Sequence, residues 1–146
     1  EKSFFAGGAN NHRAWQLREL GPGSSKIDET ELSYDRSGDI SFGANFEYRF
    51  PIIGPLEGAT FVDIGNIWTL YNQTDMKGGQ FQFSSFYKEL ATGAGLGLRL
   101  NIQFIIIRFD FAIKMWDPSK EISQRWVLPN TKFSNLNVNF GIGYPF

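Results

Sequence analysis

Along much of the chain, apolar and polar residues take strict turns. Ile40, Phe42, Ala44, Phe46, Tyr48 and Phe50 share one face of an extended segment, with Ser41, Gly43, Asn45, Glu47 and Arg49 on the other. That is the period-two pattern of a strand with one apolar face. In the next segment Val62, Ile64 and Trp68 oppose Phe61, Asp63, Gly65 and Ile67, a less clean alternation that still sets Asp63 opposite the aliphatic face. Ala94, Leu96, Leu98 and Leu100 oppose Gly93, Gly95, Gly97, Arg99 and Asn101. Ile105, Ile107, Phe109, Phe111, Ile113 and Met115 oppose Ile106, Arg108, Asp110, Ala112 and Lys114. The last stretch sets Leu136, Val138, Phe140, Ile142, Tyr144 and Phe146 against Asn135, Asn137, Asn139, Gly141, Gly143 and Pro145. The pattern predicts five strands.

The connections between them alternate in length. "PIIGPLEG" and "NIQ" are short, whereas "YNQTDMKGGQFQFSSFYKEL" and "WDPSKEISQRWVLPNTK" are long. Tight turns at one end and long loops at the other mark an up-and-down membrane barrel, with the C-terminus at the short-turn, periplasmic end. A soluble barrel also alternates, but its polar face should be rich in Lys, Glu and Thr. Here that face carries Gly, Asn and single charges of both signs, while Tyr48, Phe50, Trp68, Met115, Trp116, Tyr144 and Phe146 stand at the ends of the apolar face, where aromatic girdles lie. The expected fold is all-β, a transmembrane antiparallel β-barrel. Five strands are too few to close one, so the chain reads as the C-terminal part of a larger barrel.

Composition narrows the field. A net charge of −1 without a basic stripe gives no case for nucleic acid. Cysteine is absent, which removes disulfides and thiolate metal sites. The longest apolar run, "FIIIRFDFAI", is broken by Arg108 and Asp110 and cannot be a membrane helix. His12 is the sole histidine, so a Ser-His pair or a multi-histidine metal site has nothing to build on. "GAGLG" at 93–97 looks like a phosphate loop, yet it lies on an alternating strand with no following helix. We therefore expect no enzyme, no catalytic residue, no metal and no cofactor. "NQT" at 72–74 is a glycosylation sequon only in a host that glycosylates secreted proteins in that way.

Three stretches resemble the BamA/TamA-type outer-membrane assembly factors, the bacterial surface antigen family. "NNHRAWQLRELGPGS", residues 10–24, is similar to that family's loop motif of Arg, a small residue and an aromatic, here Arg13, Ala14 and Trp15, with Ala14 where Gly is usual. "FVDIGNIW", residues 61–68, resembles the strand that follows, with Asp63 facing the lumen and Gly65 two positions on. "NVNFGIGYPF" resembles the closing strand with its terminal aromatic, Phe146.

The resemblance implies that residues 1–38 hold the end of a preceding strand and a long loop folded into the lumen. Residues 39–146 would be the last five strands of a sixteen-stranded barrel. It implies an Arg13–Asp63 pair pinning the loop to the wall, and structural or functional roles for Trp15, Gly65, Tyr144 and Phe146. Phe146 would both close the strand and serve as an address for the assembly machinery. The implied function is assembly, insertion or translocation of other proteins at the bacterial outer membrane. The implied partners are outer-membrane lipid, client outer-membrane or secreted proteins, and periplasmic or lipoprotein accessory subunits. A passive porin-like or structural barrel without a client is the alternative reading.

Overall fold

The structure, a computed structural model, describes residues 3–26, 36–71, 77–130, 132 and 135–143. Tyr144, Phe146 and the 72–74 sequon lie outside the described residues. Five strands, β1 (Ile40–Ile53), β2 (Leu56–Trp68), β3 (Ala91–Ile102), β4 (Ile105–Trp116) and β5 (Asn137–Gly143), form one open antiparallel sheet in chain order. The only helical pieces among the described residues are short 3₁₀ turns, and no helix is long and apolar enough to cross a membrane.

The short connections are tighter than the sequence implies. "PII" belongs to β1 and "LEG" to β2, leaving only Gly54 and Pro55 between them. Gly54 turns at φ 51°, and the register slips between Pro51 and Ile53, where a bulge absorbs the proline's missing N–H. Likewise Asn101 and Ile102 extend β3, so that Gln103 and Phe104 alone make the turn to β4, with Gln103 at φ 33°.

Register then sorts side chains into rows that cross the sheet. One outer row runs Tyr48, Thr60, Leu96, Phe111, Val138, and the next runs Phe50, Gly58, Leu98, Phe109, Phe140, with the Phe109 and Phe140 rings 4.9 Å apart. On the other face, to either side of the Tyr48 row, run Glu47, Phe61, Gly95, Ala112, Asn137 and then Arg49, Ala59, Gly97, Asp110, Asn139.

Burial is inverted relative to a soluble protein. Phe46 is 65% exposed, Tyr48 70% and Ile142 66%, while Asp63 and Asp110 are fully buried and Arg99 is 1% exposed. Each large apolar side chain left against water forgoes about 1.5–3 kcal/mol, and a patch running across five strands far exceeds what a monomer's surface carries. Lipid removes that cost. The packed core lies on the polar side instead, where Ala6, Ala14, Trp15 and Leu20 of the 3–26 segment meet Phe61, Ile67, Ala91 and Ala112 of the sheet. This explains the imperfect alternation of β2: Phe61 and Ile67 are apolar on the inner face because the folded-back segment covers them.

Candidate functional site where the folded-back segment meets the inner face

Segment 3–26 holds isolated bridges, Ala6 with Leu20 and Gly8 with His12, rather than a strand of its own. At its tip the Gly8 N–H donates to the Trp15 carbonyl (2.8 Å) and the His12 N–H to the Gly8 carbonyl (3.1 Å), closing a tight turn that projects Arg13 toward the sheet.

Arg13 is held on every side. Its Nε and Nη2 donate to the two oxygens of Asp63 at 2.9 and 2.7 Å, a two-pronged contact, and its backbone N–H donates to Asp63 Oδ2 at 3.0 Å. Its Nη1 donates to Glu47 Oε2 at 2.6 Å and lies 4.0 Å from Asp110 Oδ1. The guanidinium carbon stands 3.5 Å from the centroid of the Phe61 ring, a cation stacked on an aromatic face. The Arg13 carbonyl accepts from both Asn137 Nδ2 and Asn139 Nδ2 at 2.8 Å each. One residue thus ties β1 and β2 through its side chain to β5 through its backbone.

A wider network surrounds it. Arg99 Nη2 donates to Glu47 Oε2 (2.8 Å) and its Nη1 pairs with Asp110 Oδ1 (2.6 Å). Arg108 Nε lies 3.3 Å from Asp110 Oδ2, and its Nη2 donates to the Ala9 carbonyl (3.1 Å) and Asn10 Oδ1 (3.0 Å). Asn45 Nδ2 donates to Asp63 Oδ1 (2.9 Å) and the Asn11 carbonyl (2.8 Å). Buried carboxylates and guanidinium groups compensate one another, as burial of charge requires.

Trp15 is buried with its ring edge-on to His12, centroids 4.5 Å apart, and Lys114 Nζ 5.1 Å from its centroid. Lys114 also pairs with Glu19 at 2.7 Å, and His12 Nε2 donates to the Ala91 carbonyl at 3.0 Å. Gly65 does not touch Arg13. A Cβ there would sit 2.5 Å from the Phe42 carbonyl oxygen and 3.1 Å from Gly43 Cα, so Gly65 permits the close approach of β1 to β2.

The "GAGLG" stretch is a ladder of missing side chains on the inner face of β3. A Cβ on Gly93 would strike the Ala14 methyl, one on Gly95 the Phe61 ring, and one on Gly97 both Arg99 Nη1 and Asp110 Oδ1. Each glycine makes room for one part of the site. Gly93 gives the extra methyl of Ala14, where the resembled motif has Gly, a place to go.

Sequence reasoning brings Arg13, Trp15 and Asp63 to this place and reads Glu47, Arg99, Arg108 and Asp110 as charges of the same lumen network, but leaves out Phe61, Asn137 and Asn139. Phe61 could have been found by counting two positions back along β2 from Asp63, because it shares that face. Beside the clamp a polar cavity of about 790 Å³ runs between Glu19, Lys114, Asp117, Trp126 and Asn137. Among the described residues no three His, Asp or Glu side chains group so as to hold a metal ion.

The model of one protein family, described as the Omp85 superfamily domain, matches residues 1–146 of the chain.

Proposed function

We propose, from the premise that the chain belongs to the Omp85 superfamily, that it is the part of a bacterial outer-membrane barrel that assembles, inserts or translocates other proteins. The observation that carries this reading is the Arg13 clamp. A passive pore needs an unobstructed lumen, whereas here a segment is seated inside the wall by a buried two-pronged ion pair and bonded to three strands. Such a plug suits a barrel whose task is to handle a polypeptide at its wall. On this reading the outer face of β1–β5 meets lipid, residues 1–38 supply the plug, and Arg13, Trp15, Asp63 and Gly65 are its structural determinants. Phe146 serves as an address for the assembly machinery, and soluble or lipoprotein subunits deliver clients from the periplasm.

The test is reconstitution of the full-length gene product in liposomes with an unfolded outer-membrane client, scored by the client's heat-modified gel mobility. We expect faster client folding than in empty liposomes, and slower folding with Arg13→Ala. No acceleration by the wild type, together with a steady open conductance in single-channel recording, would replace this reading with a passive pore.

A further inference from the structure

The Arg13 clamp makes no use of the histidine beside it. His12 is 1% exposed, and its Nε2 lies 3.0 Å from the Ala91 carbonyl at the start of β3. A carbonyl only accepts, so Nε2 carries the ring proton and Nδ1 the lone pair. Nδ1 is buried and has no hydrogen-bond partner among the described residues. A second proton placed there would be a buried donor with nothing to donate to, on a ring that has become a charge.

The surroundings offer that charge no counter-ion. Arg13 follows His12 in the chain, Asp63 faces the ring from β2 and Lys114 from β4, while Gly93 of β3 approaches it without a charge, the place of its missing Cβ lying 3.4 Å from His12 Cε1. Two of the three charged groups are cations, and the one carboxylate is fully engaged. Asp63 Oδ1 accepts from Arg13 Nη2 and Asn45 Nδ2, and Oδ2 accepts from the Arg13 N–H and Nε. Glu19, which pairs with Lys114 through Oε1, accepts the Gln16 N–H through Oε2. The Trp15 ring, 4.5 Å from the imidazole, already has Lys114 Nζ at 5.1 Å. Burial foremost holds the imidazole below its ordinary value, helped by Arg13 and Lys114 and opposed by the Ala91 bond and the Asp63 charge.

His12 also belongs to the turn that presents Arg13. Its N–H donates to the Gly8 carbonyl and its carbonyl accepts from the Trp15 N–H, both at 3.1 Å. Whatever loosens the ring from Ala91 therefore loosens the turn.

We propose that His12 is an acid-operated latch on the folded-back segment, which seats against β3 while its imidazole is neutral and lets go when Nδ1 takes up a proton. The inference rests on the reading of the 3–26 segment as a lumen plug. A released His12 titrates near the ordinary histidine value of about 6.5 and accepts the proton that the seated ring refuses. Seating is thus complete above that value and weakens as pH falls below it, by at most about tenfold per pH unit for one proton.

Protease nicking of the 3–26 segment in the full-length protein in liposomes tests it between about pH 7.5 and about pH 5.5, a window that leaves ordinary carboxylates ionised. Rates are normalised to cleavage of an unfolded peptide at the same pH. The expected result is nicking several-fold faster at the acid end in the wild type, with protection restored on return to the upper pH. His12→Gln, whose amide can still donate to the Ala91 carbonyl, and His12→Phe, which cannot charge, should show no rise. A wild type without a rise overturns the latch, as do His12 variants that rise as much as the wild type, and so does protection that fails to return. Should both His12 variants fail to seat even at the upper pH, Lys114→Gln decides instead: with one of the two facing cations gone the acid rise should shrink, and an undiminished rise overturns the latch. A wild-type segment cleaved at the upper pH as fast as the unfolded peptide overturns the plug reading, and the latch with it.

Discussion

At Arg13 the decisive quantity is how many partners one guanidinium satisfies. Removing one member of a buried ion pair costs about 3–5 kcal/mol, because the other charge is left uncompensated. Arg13→Ala strands Asp63, whereas Glu47 keeps Arg99 and Arg49. Double-mutant cycles scored by protease nicking of the 3–26 segment should therefore give a larger coupling for Arg13 with Asp63 than with Glu47. Lys at position 13 should rescue only in part, since an ammonium cannot make the two-pronged contact. Equal couplings would mean that the two carboxylates share the charge evenly. A second expectation concerns fit. Gly93→Ala drives a methyl into that of Ala14, so it should cost about 1–3 kcal/mol as an overpacked contact. Ala14→Gly in the same chain should recover most of the loss, measured as the thermal midpoint of the heat-modified band. What was legible in the sequence at this scale was chemistry that repeats a recognisable motif, Arg13, Trp15 and Asp63. Asn137 and Asn139 were read only as the polar face of a strand, because no local pattern tells which carbonyl 124 or 126 residues away they will meet.

At the scale of elements, all five strands were legible because alternation survives even where one face is glycine and asparagine. The strand ends were not. Pro51 reads as a break, yet β1 carries it through a bulge, and the 3₁₀ turns have too few residues to show a period. The last strand is bonded to the plug as well as to β4. Asn137→Ala and Asn139→Ala should each weaken the seating by about 1 kcal/mol, the net worth of one hydrogen bond. Hydrogen exchange of β5 amides should then rise together with that of the 10–16 segment, and a rise in β5 alone would uncouple the two. Glu89, in the 3₁₀ turn Phe86–Glu89 between β2 and β3, carries a pH signature. Burial holds its carboxyl above the usual range, against the Trp68 N–H bond and the Arg125 charge that pull the other way. A carboxyl with a raised folded-state value gives stability that is complete below its unfolded value and is lost as pH rises through the folded one. The stability difference between the wild type and Glu89→Gln should accordingly shift in favour of the variant as pH climbs above the ordinary carboxylate range, read from paired melting temperatures of the full-length protein.

For the molecule as a whole, the exchange of inside and outside makes the fold readable before any site is known. Charges buried on one face and phenylalanines bare on the other can coexist only where lipid meets the second and a covering segment meets the first. The clamp also sets an order of events. Arg13 binds partners 34, 50, 124 and 126 residues further along the chain, whereas the hairpins β1–β2 and β3–β4 close across two-residue turns. Loop-closure entropy favours local pairing first, so the seat for Arg13 exists only once β1, β2 and β5 stand together. Pulse proteolysis during refolding should find the 3–26 segment cleavable long after the hairpins resist, with protection arriving in the final kinetic phase. Protection arriving last would make the locking of Arg13 the mark of a finished wall, with every unfinished one still open to protease.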